Sequence, residues 1–342
     1  MTKAQIDRLL SNPSEIVITT HNKPDGDAMG SSLGLYHYLV GKGHSVKVIS
    51  PTDYPFFLHW MPSNDEVIIY TDHIETSKNL INNAKIIFCL DFNTLSRINE
   101  LGELVRNSTA TKVLIDHHLE PEDFDDLRLW DTDASSTAEL IYRFIGEAGD
   151  HKLVDSNIAT CLYTGIMTDT GSFRFPRTTS ALHRVVADLI DCGADNSGIH
   201  SKVYDNFSEK RLRFLGFCLK DKLTILHEFN TAYLSLNKKE LAEYGVGTGD
   251  TEGIVNYALS INEIQLAIVI IERGDLVKLS FRSKGNFPAN QLAKKYFNGG
   301  GHLNAAGGQT TENLETTTQK VISILPEFKQ LLNNNQINNN QN

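Results

Sequence analysis

Short, almost continuously apolar runs alternate with amphipathic stretches through the first half of the chain. Ile16–Thr20 (IVITT), Val46–Ser50, Ile86–Leu90 (IIFCL) and Lys112–Ile115 (KVLI) read as strands. Between and after them, Ser31–Val40, Thr137–Glu147, Asn157–Thr168 and Ala181–Asp191 read as helices, with Ser31 and Ser32 explained by capping. Strands that are apolar along their whole length, separated by helices, predict a parallel sheet covered on both faces. The pattern shifts after Cys192–Ala194. A charged helical stretch to about residue 225 follows, and then Thr231–Leu236, Ile264–Ile271 and Leu276–Arg282 read as strands. The last two are joined only by Glu272–Asp275 (ERGD), which predicts a hairpin and hence a mixed sheet. Helices are expected at Pro288–Phe297 and over about 312–325. The expected fold is therefore α/β: an N-terminal α/β/α domain over 1–192, a helical linker over 193–225, and a smaller mixed-sheet domain over 226–330. Residues 331–342 form an Asn/Gln tail with almost nothing to bury, and disorder is expected there.

Composition narrows the function. The 342 residues carry 32 Lys+Arg against 42 Asp+Glu, a formal net charge of −10. Such a balance excludes a basic coat for gripping long nucleic acid, though a local cluster of cations can still attract a small anion. No apolar run approaches the roughly 20 residues of a membrane span, and the first residues lack a signal-peptide core. Cys89, Cys161, Cys192 and Cys218 have no CxxC spacing, which predicts reduced, buried thiols and a cytoplasmic setting.

Chemistry-bearing residues gather where ligands bind in open α/β sheets, at the carboxyl ends of strands. The first strand runs into His21, Asp25 and Asp27; the third into Asp91; the fourth into Asp116, His117 and His118. A helix ends at Asp169 just before a glycine turn. Individually these are weak signals, since an Asp-Gly-Asp is most often a turn and a lone Asp a helix cap. Jointly, so many carboxylates on one sheet edge require neutralising cations. Carboxylate with imidazole and no thiolate suits Mn²⁺, Mg²⁺, Fe²⁺ or Co²⁺.

HNKPDGDAMGS (21–31), CLDFN (89–93), IDHH (115–118) and GIMTDTGSF (165–173) resemble the four motifs of the DHH phosphoesterase superfamily. Gly299–Gly300–Gly301–His302, in FNGGGHLNAAGG, is similar to the glycine-rich motif of the DHH-associated C-terminal domain. The two-domain length resembles the nanoRNase and pAp-phosphatase branch.

The resemblance implies two divalent metal ions, Mn²⁺ first with Mg²⁺ or Co²⁺ as alternatives. It assigns His21, Asp25 and Asp91 to one metal and Asp27, Asp91, His117 and Asp169 to the other, with Asp91 bridging. It implies a hydroxide between them as nucleophile. Asp116 is expected to orient a histidine ligand, and His118 to face the scissile phosphate, with a third metal-bound imidazole as the alternative for His118. Arg282, Gly299, Gly300, Gly301 and His302 are expected to bind substrate phosphate, with Asn304 a weaker candidate. The implied substrates are short RNA oligonucleotides, released as mononucleotides, or 3′-phosphoadenosine 5′-phosphate, hydrolysed to AMP. A homodimer is carried as an expectation with no residue behind it. Two alternatives stand beside this reading: a phosphodiesterase for cyclic or linear dinucleotides (c-di-AMP, pApA), and a catalytically silent nucleotide- or RNA-binding module. A pyrophosphatase of this type would carry a Lys/Arg-rich motif in place of GGGH. Two aromatic or basic groups stay open: Tyr54, Phe56, Phe57 and Trp60 as base-stacking or packing residues, and Arg174 and Arg177 as cleft or surface charges.

Overall fold

A computed structural model describes residues 1–247 and 249–334 of the chain. They divide into two compact units, one over 1–206 and one from Phe207 onward. In the first unit, six strands form one sheet: β1 Glu15–Thr20, β2 Ser45–Ser50, β3 Val67–Ile69, β4 Ile86–Leu90, β5 Thr111–Asp116 and β6 Leu127–Trp130. Their spatial order is β3-β2-β1-β4-β5-β6, and every pairing is parallel. Both faces are covered, which accounts for the unbroken apolar runs. Ile16, Ile18 and Phe88 enter one core, while Val17, Ile87 and Leu114 enter the other. Chain direction across the sheet reverses between β1 and β4, so the crevice for a ligand opens at their carboxyl ends.

Helix Gly26–Gly41 lies against helix Ser156–Asp169, and small residues set their approach. A Cβ on Gly30 would come within 2.6 Å of the Cys161 carbonyl oxygen, so no larger residue fits that crossing. This helix begins five residues before the expected Ser31. The Asp25 side chain accepts from the Asp27 and Ala28 amides and caps it there, and Ser31 and Ser32 are buried inside it. Asp27 thereby sits in the first helical turn instead of a loop.

The second unit contains β7 Leu223–Leu226, β8 Thr231–Leu236, β9 Leu266–Arg273, β10 Leu276–Ser283, β11 Gly300–His302 and β12 Ala305–Thr310. The order is β11-β12-β10-β9-β8-β7, and β8–β9 is the one parallel pairing among the described strands of this sheet. The sheet is mixed, with the β9–β10 hairpin where it was expected. Along β10, Val277, Leu279 and Phe281 are buried while Lys278, Ser280 and Arg282 take the opposite face.

Strands β3 and β6 escape the apolar pattern because they are three and four residues long and only half-buried at the sheet edges. The last helix, Leu314–Asn334, passes through Pro326 and continues into the Asn/Gln stretch. The remainder of that stretch, 335–342, lies outside the described residues. Among the described residues no helix is long and apolar enough to cross a membrane.

Candidate metal centre

The loops after β1, β4 and β5 bring His21, Asp91 and His117 together. Asp91 is the hub. Its Oδ2 lies 3.5 Å from His21 Nε2 and its Oδ1 lies 3.5 Å from His117 Nε2. The residue immediately follows β4 with φ of 64°, in the left-handed region, at a cost on the order of 1 kcal/mol for a non-glycine residue. The sharp turn sends the carboxylate back over the sheet edge. Thr137 fixes it there by donating its hydroxyl to Oδ1 at 2.9 Å.

Two groups of ligand atoms flank Asp91. His21, Asp25 and Asp91 place one atom each within 4.8 Å of one another, and Asp27, His117 and Asp169 do the same. His117 Nε2 is 3.7 Å from Asp27 Oδ2 and 3.5 Å from Asp169 Oδ2. Both imidazoles turn Nδ1 away from the cluster, toward backbone carbonyls: His21 toward Asn22 at 3.0 Å and His117 toward Ala134 at 3.4 Å. With Nδ1–H donated there, Nε2 carries the lone pair a metal needs. Asp27 is 1% exposed and is held by the amides of Thr137 and Ala138, at 2.6 and 2.8 Å. These are orphan amides of the first turn of helix Thr137–Ala148, capped by Ser136, so a helix N-terminus faces the carboxylate.

The electrostatics describe a site short of positive charge. Burial opposes a charged His21, but the Asp25 and Asp91 carboxylates outweigh it and carry the imidazole up to about 10. Burial acts the same way on His117, and Asp91, Asp169 and Asp27 carry it to about 10. Burial also pushes Asp91 up, yet its contacts with His117 and His21 hold it well below the usual carboxylate range. Asp27 is pushed up by burial and by the Asp91 and Asp169 carboxylates. Oxygen and imidazole donors without thiolate, in two groups with Asp91 between their histidines, fit a pair of divalent cations.

His118 touches this set through Asp91, whose Oδ1 lies 3.7 Å from its Nδ1, and forms a further group of possible ligand atoms with Asp91 and Asp116. Its Nδ1 meets Asp116 Oδ1 at 2.8 Å, so the histidine that Asp116 orients is His118, not His117. Burial pushes the His118 ring down despite the nearby carboxylates. The Thr137 hydroxyl, the Thr137 and Ala138 amides and the Ala134 carbonyl were not singled out by residue type. A Ser-Ser-Thr run at 135–137 before an amphipathic helix was their signal. Arg177 donates to the same Ala134 carbonyl at 3.3 Å, and Arg174 donates to Gly171 at 2.6 Å. Among the aromatics, Tyr54 is buried and bonds Asn64, Lys202 lies over the Trp60 ring, and Phe56 is 75% exposed.

In the second unit, Arg282 and His302 are both register partners of Ala305, on either side of β12. Residues directly opposite across antiparallel strands share a face, so both project over a floor made of Ala305. The neighbouring row is Ser280, Gly307 and Gly300, and a Cβ on Gly300 would meet nothing within 4 Å. Gly299 and Gly301 have another reason to be glycine. A Cβ on Gly299 would lie 2.0 Å from the Gly307 carbonyl oxygen, and Gly301 has φ of 134°. The glycine run is thus largely an edge strand, open at Gly300. Asn304 spends its amide on Ser283 Oγ and the Gly285 carbonyl, both at 2.9 Å.

Comparison with known proteins places these features in company. Residues 15–166 match the DHH family, N-terminal domain, and residues 230–334 match the DHHA1 domain. The bifunctional oligoribonuclease and PAP phosphatase NrnA of Thermus thermophilus is 31% identical over 313 residues, covering 91% of this chain and 89% of its own. The protein of the same name from Bacillus subtilis is 29% identical over 307 residues, covering 89% and 92%. The crystal structure of an exopolyphosphatase-related protein from Bacteroides fragilis superposes with a TM-score of 0.92 at 40% identity, covering 97% of this chain and 98% of the other.

Proposed function

This chain belongs to the DHH family of phosphoesterases, with a DHHA1 domain behind the DHH domain, and we propose that it hydrolyses short oligoribonucleotides to mononucleotides and 3′-phosphoadenosine 5′-phosphate to AMP and phosphate. The observation that carries this reading is Asp91, whose two oxygens face two histidines in two separate ligand groups. His21, Asp25 and Asp91 would hold one cation, and Asp27, Asp91, His117 and Asp169 the other, with Mn²⁺ our choice of metal. Bound there, the pair would supply an acidified water and charge compensation for phosphoryl transfer.

The chain's own residues do the remaining work. Thr137 and the amides at the start of its helix keep the Asp91 and Asp27 carboxylates in place, so substrate binding need not reorganise them. Hydrolysis adds a water oxygen to phosphorus while the ester P–O bond breaks and the leaving oxygen gains a proton. Asp116 holds His118 in one orientation, and in this reading His118 faces the phosphate and steadies charge on the leaving or non-bridging oxygen. The second unit grips a further phosphate through Arg282, His302 and the open Gly300 edge. That division of labour favours substrates with phosphates on two sides of a nucleoside. The names of the two NrnA relatives support the same substrates. All four cysteines are unpaired, three of them buried, which supports a cytoplasmic enzyme.

A rate panel with Mn²⁺ tests the reading: di- to pentanucleotide RNA, 3′-phosphoadenosine 5′-phosphate, pApA and c-di-AMP. The first two should be turned over fastest. Faster hydrolysis of c-di-AMP would move the enzyme to the cyclic-dinucleotide class, and nucleotide binding without turnover under any divalent metal would make it a silent module.

A further inference from the structure

Arg97 carries no motif and lies in a short turn, Leu95–Ile98, at the same sheet edge as Asp91. The turn is fastened to the metal centre through its backbone. The Arg97 carbonyl accepts the N–H of Asn22, the residue after His21, at 2.7 Å. Its side chain is half-buried. Among the described residues its guanidinium has no carboxylate partner and no hydrogen bond. Arg128, equally half-buried in the same unit, is neutralised by Asp125 and Asp123 at 2.6 and 3.1 Å. A half-buried guanidinium without a counter-ion beside a carboxylate-rich site is an arrangement that waits for an anion.

We propose that Arg97 is the anion receptor of the first unit, its forked donors binding the non-bridging oxygens of the phosphate under attack, next to His118. The inference rests on the phosphoesterase reading above and adds a substrate contact to it. The forked donors of Arg97 would act alongside His118, which Asp116 holds in place. The structural service of Arg97 is rendered by its carbonyl, which every substitution keeps, so side-chain replacement isolates the guanidinium.

The test uses the full chain loaded with Mn²⁺, as wild type, Arg97→Ala and Arg97→Lys, on a short RNA and on 3′-phosphoadenosine 5′-phosphate. Arg97→Ala should lower kcat by about 100-fold, the scale of losing one charge-stabilising donor. Melting temperature and Mn²⁺ stoichiometry should stay unchanged. Arg97→Lys should recover only part of the rate, and millimolar guanidinium should rescue Arg97→Ala alone, which a packing role would not produce. Arg97→Ala turning over at the wild-type rate, or losing Mn²⁺ along with activity, would overturn the proposal. Titration of the same proteins with inorganic phosphate separates the two readings. A wild-type chain inactive on both nucleotides defeats the substrate assignment. Arg97 still stands if Arg97→Ala weakens phosphate binding about tenfold, and falls if binding is equal.

Discussion

In the first unit the charged groups are sunk into the protein: Asp27, Asp91 and His117 are at most 2% exposed, and each is pinned by a backbone or hydroxyl partner. In the second unit Arg282 and His302 stand on the outer face of a sheet, over a floor of alanine and glycine. The contrast separates two tasks. Buried carboxylates crowded on one sheet edge could bind cations, and in the proposed reading they give the first unit the chemistry. Partly exposed donors on a small-residue floor can accept a phosphate without rearranging, and losing one leaves the sheet intact. Substitutions in the first unit should therefore act on kcat, and those on the sheet face should act on KM.

The largest effect should come from Asp91→Ala. Both ligand groups lose their shared carboxylate, and kcat should fall by at least about a thousandfold in steady-state assays. A variant retaining a tenth of wild-type turnover would break the contrast at its strongest point. Thr137→Val keeps the shape of the side chain but removes the donor to Asp91. Activity or Mn²⁺ affinity should drop about 10–100-fold, measured by metal titration of turnover. Arg282→Ala should raise KM for 3′-phosphoadenosine 5′-phosphate about tenfold and leave kcat within a factor of about two, consistent with loss of one charged hydrogen-bond donor. A matching fall in kcat would mean the sheet face takes part in the chemical step. The smallest effect belongs to Asn304→Ala. Its amide serves Ser283 and Gly285, so denaturant unfolding should lose about 1 kcal/mol while KM stays unchanged.

Most of this was readable in the chain, for physical reasons that also mark where reading stopped. Strands β1, β4 and β5 are buried on both faces and announce themselves as continuous apolar runs, so the His and Asp residues at their ends could be assigned to one edge. Edge strands β3 and β6 lack that burial and left no run to find. The start of helix Gly26–Gly41 was misplaced because Asp25 was weighed as a ligand or turn residue, whereas its side chain also caps the helix. Capping at Asp25 is what brings Asp27 to the N-terminus of helix Thr137–Ala148. The partners that hold the cluster are a hydroxyl, two amides and a carbonyl from residues 134–138, more than 100 positions from Asp27, and no local pattern ties them to it. In the second unit the glycine run was legible as a motif but not as a strand. Only the sheet register reveals that Gly299 is required by a neighbouring carbonyl while Gly300 is open.

The central claim is that Asp91 joins two cation sites, and calorimetric titration of the metal-free full chain with Mn²⁺ tests it most directly. The account predicts two equivalents bound per chain, with hydrolysis of a short RNA appearing only as the second is filled. Saturation at a single equivalent, or hydrolysis that persists in excess chelator, would contradict it.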